Sequence, residues 1–175
     1  MTSEIEPMKH RIRAAAIIVD GDSILLVKEE SNHPHDGRFW WIPPGGGVEG
    51  DESLEECARR ETLEETGLSV ELGNIAYIRE FLEPGYHHCE IFFLATSYSG
   101  NVITGTNPEF GMLDTAHYIK DVRFVHRSEL LGMQIAPDVL KTSFWDDLAD
   151  GFPSTRYLGV TKSGYLQHLE ALAET

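Results

Sequence analysis

Hydrophobic positions along the chain fall into short runs separated by polar turns, with one stretch of helical period among them. From Arg11 to Val19, alanine and β-branched residues run together and predict a buried strand. Asp20-Gly21-Asp22 predicts a hairpin turn, with Ser23 to Lys28 as the partner strand. Glu29 to Arg38 is a polar loop containing proline and glycine, and Phe39 to Ile42 a short aromatic strand. Ser69 to Glu83 reads as one bent strand or two short ones. It is closed by a Pro84-Gly85 turn, and His88 to Tyr98 follows as a strand with an apolar centre. Ser99 to Ile119 reads as a long loop, and loops of that length inside a domain are usually functional. Asp121 to His126 predicts a strand, and Arg127 to Leu131 a helical turn. An amphipathic helix opens at Pro137 and runs to about Ala149, with Val139, Leu140, Phe144 and Leu148 on one face. Arg156 to Val160 predicts a strand, and a short helix is expected near Tyr165 to Ala173.

The helical stretch lies between Ser53 and Gly67. Ser53 is placed to cap it, Glu56 completes a capping box, and Gly67 is placed to end it. At about 100° per residue, Leu54, Cys57, Ala58, Glu61, Glu64 and Glu65 share one stripe. The stripe begins apolar and ends in glutamates. Glu61 and Glu65 are one turn apart and repel. A solvated acidic face is the usual fate of such a run. Here the glutamates continue a core-facing stripe, while Arg59 and Arg60 lie elsewhere. Carboxylates gathered in that way call for a cation, and oxygen-only ligands favour Mg²⁺ or Mn²⁺. Strands on both sides of this helix, with a second long helix later, predict an α/β fold: a mixed sheet between helical layers.

Composition narrows the function. The chain has 175 residues, 41% hydrophobic, which suits one domain with a sizeable core. Its net charge of −15 disfavours a duplex nucleic-acid binder, which needs a basic face. Only two cysteines occur, Cys57 and Cys89, so neither a disulfide framework nor a zinc cluster is expected. Residues 1–9 read as a flexible leader and 10–175 as one domain. The longest early apolar run, Ala14 to Val19, is six residues, too short for a membrane span or a signal segment. A cytoplasmic protein with no membrane partner is expected; a homodimer is allowed.

Residues 41–68, WIPPGGGVEGDESLEECARRETLEETGL, resemble the signature of the Nudix hydrolases, G-x5-E-x7-R-E-U-x-E-E-x-G-U, where U is a bulky aliphatic residue. Gly46, Glu52, Arg60, Glu61, Glu64, Glu65, Gly67 and Leu68 match. Thr62 stands where the pattern has an aliphatic residue; its methyl can still pack. The resemblance implies the Nudix α/β/α sandwich with a loop–helix–loop catalytic motif. It also implies MutT-like, metal-dependent hydrolysis of a nucleoside diphosphate linked to another moiety, by water attack on phosphorus. Small-molecule nucleotides are the expected partners.

By matching position, the resemblance makes Glu61 and Glu65 metal ligands, with Glu64 as the third carboxylate and the Gly45 carbonyl as a backbone ligand. Arg60 cannot hold metal and is expected to orient Glu64 or Glu52, which leaves Glu52, Gly46 and Gly67 as structural motif positions. The family often adds a carboxylate from a downstream loop. Glu109 is the candidate base, with Glu90 and Asp114 as alternatives. Trp41, Lys28 and Arg38 are the candidate substrate-binding side chains. Pro84 and Tyr86 are spaced like the family's markers for ADP-ribose and for dinucleoside polyphosphate substrates, and cancel as evidence. A non-catalytic nucleotide sensor and an isoprenoid diphosphate isomerase are the alternative readings. The sensor usually lacks box carboxylates that this chain retains, and the isomerase needs a catalytic cysteine.

Overall fold

The alanine-rich run that opens the chain becomes the centre of a sheet because small side chains let strands and a helix close on it from both faces. The computed structural model describes residues 7–30, 39–103, 119–164 and 166–167. Strand β1 (Lys9–Ile17) pairs antiparallel with β5 (Gly45–Gly47) and parallel with β7 (Tyr86–Gly100). Strand β6 (Leu68–Glu83) pairs antiparallel with β7 and parallel with β9 (Arg156–Lys162), giving the order β5-β1-β7-β6-β9. β1 starts within the stretch expected to be a leader, since the Lys9 amide donates to the Gly85 carbonyl at 2.9 Å. A second, antiparallel sheet is built on β3 (Ser23–Glu30), which pairs with β2 (Val19–Asp20), β4 (Phe39–Ile42) and β8 (Ile119–His126).

Alternation along β1 divides the core into layers. Ala14 packs with Cys57 and Ala58 of helix α1 (Leu54–Thr66), together with Ile91 and Phe93. Ala15 and Ile17 face the other way, into a core with Ile24, Leu26, Tyr77, Phe92 and Phe144. The predicted Pro137–Ala149 helix is broken there. It becomes a 3-10 turn, Asp138–Lys141, and a short helix α2 (Phe144–Ala149). The break is at Thr142 (φ −113, ψ −94), whose hydroxyl bonds back to the Asp138 and Val139 carbonyls at 3.4 Å each. Val139, Leu140 and Phe144 stay buried, so the apolar face was legible although the helix is not continuous. Sheet layers between α1 and the short C-terminal helices form the mixed α/β sandwich expected. β6 is one strand with register shifts between Glu71 and Tyr77, the bent form of the two alternatives.

Candidate active site

Strand β5 and helix α1 define the site, and local chemistry fixes each. Ser53 accepts the Glu56 amide at 3.2 Å while the Glu56 carboxylate accepts the Ser53 amide at 2.7 Å, a complete capping box. Gly67 ends the helix in the left-handed region at φ 74, and its amide donates to the Leu63 carbonyl. Thr62, fully buried, meets its hydroxyl requirement with the Ala58 carbonyl at 2.7 Å, which lets it stand where an aliphatic residue was expected.

The glycine strand lies against this helix. The Gly45 amide donates to Glu65 Oε2 at 2.9 Å. A Cβ on Gly46 would lie 2.7 Å from Glu61 Oε2, closer than real side chains approach. Gly46 thus vacates the volume that the Glu61 carboxylate fills. Cys57 donates its thiol to the Gly46 carbonyl at 3.4 Å.

Arg60 holds the acidic side chains in place. Its Nε and Nη2 donate to Glu52 Oε2 and Oε1 at 3.0 and 2.7 Å, a bidentate contact with one of the two glutamates it was expected to orient. Nη1 reaches Glu61 at 2.8 Å and Glu64 at 3.3 Å. The Glu52 carboxyl is held down at about 2, chiefly by its hydrogen bonds from Arg60. Glu52 also accepts the Glu49 amide at 2.8 Å, which braces the loop before the helix.

Glu65 differs from its neighbours, being only 8% exposed. Burial holds its carboxyl well above the ordinary range, and the negative charges of Glu29 and Glu61 push the same way. Arg13 and the Gly45 amide oppose them. A buried acid with acidic neighbours and all-oxygen donors fits a hard divalent cation. In this arrangement the Gly45 carbonyl accepts from Arg13 Nη2 at 2.8 Å, and Glu61 and Glu64 are turned to Arg60. Among the described residues no three His, Cys, Asp or Glu side chains are already grouped as a metal site.

Other candidates fall elsewhere. Lys28 and Trp41 are paired across β3 and β4, and Lys28 Nζ lies 5.9 Å from the Trp41 ring and 4.6 Å from that of Phe39. Arg123 covers Trp41 at 5.1 Å. These side chains are on the face of β3 that continues Leu26 into the α2-side core, whereas Glu29 continues Leu25 and Val27 on the other face. Glu90 is buried and bonded to Arg79 at 2.6 Å. Glu109, Asp114 and Arg38 lie outside the described residues. Cys57 is buried, which pushes its thiol up to about 12, and burial raises Cys89 as well; neither resembles a catalytic thiol. Arg13 and Glu29 were not anticipated. Their signal was a charge two residues from an apolar run on the same strand face.

The comparisons agree with this geometry. Residues 9–143 match the NUDIX domain family. Phosphatase NudJ of Escherichia coli K12 is 25% identical over 131 residues, which are 75% of this chain and 82% of that protein. The MutT protein of Methanosarcina mazei superposes with a TM-score of 0.60 at 25% identity, over 84% of this chain and 98% of its own. A MutT protein of Bacillus halodurans superposes at 0.58 with 25% identity, over 87% and 89%. Nudix hydrolases generally use divalent metal ions. With the match spanning the glycine strand and the acidic helix alike, the chain belongs to the Nudix domain family and is a hydrolase of that family.

Proposed function

We propose that this hydrolase cleaves the pyrophosphate linkage of a nucleoside diphosphate joined to another moiety, such as an ADP-sugar or a nucleoside triphosphate, using Mg²⁺ or Mn²⁺. The observation that carries the reading is the buried carboxylate of Glu65, held by the Gly45 amide beside a Glu61 seated in the space Gly46 leaves. Glu61, Glu65, Glu64 and the Gly45 carbonyl are the groups that would hold the cation. When bound, the metal neutralises the pyrophosphate and lowers the pKa of an attacking water.

The chain's own residues do the rest. Arg60 and Glu52 fix the carboxylates from the side, and the Gly45 amide fixes Glu65. A carboxylate accepts the proton of the water; Glu109 is the candidate and Glu64 the alternative on the helix. Glu90 is already bonded to Arg79. Trp41 and Lys28, with Arg38, are candidates for the substrate's remaining part: an aromatic face beside a cation suits a base and its phosphate. The small-molecule partner and the −15 charge suit a cytoplasmic enzyme that meets anions through bound cations. No helix among the described residues is long and apolar enough to cross a membrane.

The experiment is incubation with Mg²⁺ or Mn²⁺ and a panel of nucleoside triphosphates, ADP-sugars and dinucleoside polyphosphates, reading nucleotide products and phosphate. Cleavage between phosphorus atoms that stops when metal is chelated is expected. Absence of turnover across the panel, with the protein folded, overturns the reading.

A further inference from the structure

Three successive carbonyls of the Pro43-Pro44-Gly45 segment are taken up by β1. Arg13 Nη2 donates to the Pro43 carbonyl at 3.0 Å and to the Gly45 carbonyl at 2.8 Å, and the Ala16 amide donates to the Pro44 carbonyl at 2.9 Å. The amide of the same Gly45 donates to Glu65 Oε2 at 2.9 Å. Gly45 thus carries a guanidinium on its carbonyl and a buried carboxylate on its amide. Arg13 is half-buried, and its positive charge acts on Glu65 across this edge, against the burial and the acidic neighbours that disfavour ionisation there.

The other groups proposed to hold the cation are restrained differently. Glu61 and Glu64 accept from Arg60 Nη1 at 2.8 and 3.3 Å, but Arg60 also has a carboxylate of its own in Glu52, bonded through Nε and Nη2. That anchor stays in place whatever Glu61 and Glu64 do. Among the described residues Arg13 has no such anchor. Both groups it donates to are neutral carbonyls, which hold a guanidinium less strongly than a carboxylate does. Glu90, in register with Arg13 on β7, is bonded to Arg79 at 2.6 Å. A divalent cation brings twice the charge of a guanidinium to the same carbonyl, and at close range the two repel. They therefore compete for Gly45.

We infer that Arg13 is the resident counter-charge of the metal site: its guanidinium caps the Gly45 carbonyl while the cation is absent and gives up that carbonyl when the cation binds. The inference rests on the reading above, in which a divalent cation is held by Glu65 and the Gly45 carbonyl. Arg13 is then a positioning residue with two effects. Before metal arrives, it holds the proline–glycine bend and offsets the charge of Glu65. When metal arrives, it competes, so the affinity is lower than the glutamates alone would give.

The test uses the full chain, as wild type and as Arg13→Gln, with Arg13→Lys as the charge-retaining control. The glutamine amide can still donate to a carbonyl but brings no charge. Mn²⁺ binding, read from the electron paramagnetic resonance signal of the free ion, should be about fivefold tighter or more in Arg13→Gln and near wild type in Arg13→Lys. Mn²⁺ should accordingly raise the melting temperature of Arg13→Gln by more than that of wild type. Adding Glu65→Gln should remove the extra affinity, which places it at this site. An arginine that only braced the bend would weaken Mn²⁺ binding when replaced, and one unconnected with the metal would leave it unchanged; either result overturns the inference while the metal reading stands. Mn²⁺ that binds neither protein overturns the metal reading, and the inference with it. If Arg13→Gln does not fold, wild type decides. The rotation of the Arg13 guanidinium, followed by nitrogen-15 NMR, should be hindered without metal and released on adding Mg²⁺. A guanidinium still hindered at saturating Mg²⁺ overturns the inference.

Discussion

The carboxylate of Glu61 occupies the volume that a side chain on Gly46 would need. Gly46 is not in the left-handed region, so its requirement for glycine is steric. Gly46→Val must push Glu61 off the glycine strand or open β5 from α1. Overpacking of this kind costs about 1–3 kcal/mol. Urea denaturation should show that loss, and the stabilisation by Mg²⁺ should shrink with it. A Gly46→Val protein as stable as wild type would mean that the strand and helix are not held this closely.

Glu65 gives a test that separates charge from shape. Glutamine can still accept the Gly45 amide at the same oxygen, so Glu65→Gln should fold. Its turnover should be nearly abolished. Because burial raises the Glu65 carboxyl, its protonation favours the folded chain. That contribution is complete below the ordinary value of 4.5 and is lost as pH rises through the higher folded value. Without metal, Glu65→Gln should therefore match or exceed wild type in melting temperature at neutral pH and lose the advantage in acid. Undiminished turnover in Glu65→Gln would remove the residue from the site.

Glu52 has the opposite sign. Arg60 holds its carboxyl at about 2 against an ordinary value of 4.5. The stability it contributes is present above 4.5 and disappears as pH falls towards 2. Glu52→Gln should cost about 1–3 kcal/mol at neutral pH and flatten the acid limb of the stability curve. An unchanged acid limb would show that the bidentate contact with Arg60 does not hold in solution.

Paired substitutions should identify the base. Under saturating metal, Glu109→Gln should lower kcat by roughly a hundredfold or more. Glu90→Gln should act on stability instead, since it leaves the buried Arg79 without its anion, at a cost of about 3–5 kcal/mol. A Glu109→Gln effect below about threefold would move the base to Glu64 or another helix carboxylate.

Much of this was legible from local chemistry. The capping box at Ser53 and the left-handed Gly67 depend on neighbours within a few residues and appear where spacing put them; the expected stripe keeps Cys57, Ala58 and Glu65 buried, but the buried face turns to Thr62 and Thr66 and leaves Glu61 and Glu64 half-buried. Alternation located the strands to within a few residues. The broken helix at Thr142 was not legible, because apolar spacing is blind to a hydroxyl that bonds back to its own chain. Arg13 and Glu29 were missed for another reason. Arg13 meets Gly45 across 32 positions, a contact set by the pairing of β1 with β5. Glu29 acts on Glu65 only because β3 aligns its α1-facing row with the helix; its place on that row was readable, its meeting with Glu65 was not.

The end of α1 has a cost of its own. Glu64 and Glu65 stand in its last turn, which holds no lysine or arginine. The backbone carbonyls there carry the negative end of the helix dipole, so each carboxylate is opposed by about 0.3–1 kcal/mol. The turn is tied by the Gly67 amide, by the Thr66 hydroxyl, which accepts the Leu68 amide at 3.1 Å, and by the Ile103 amide, which donates to the Thr66 carbonyl at 3.0 Å. Burial of Thr62 and Thr66 holds the final turn of α1 in place against that charge, and a cation among its glutamates would act as the C-terminal charge partner that the sequence omits.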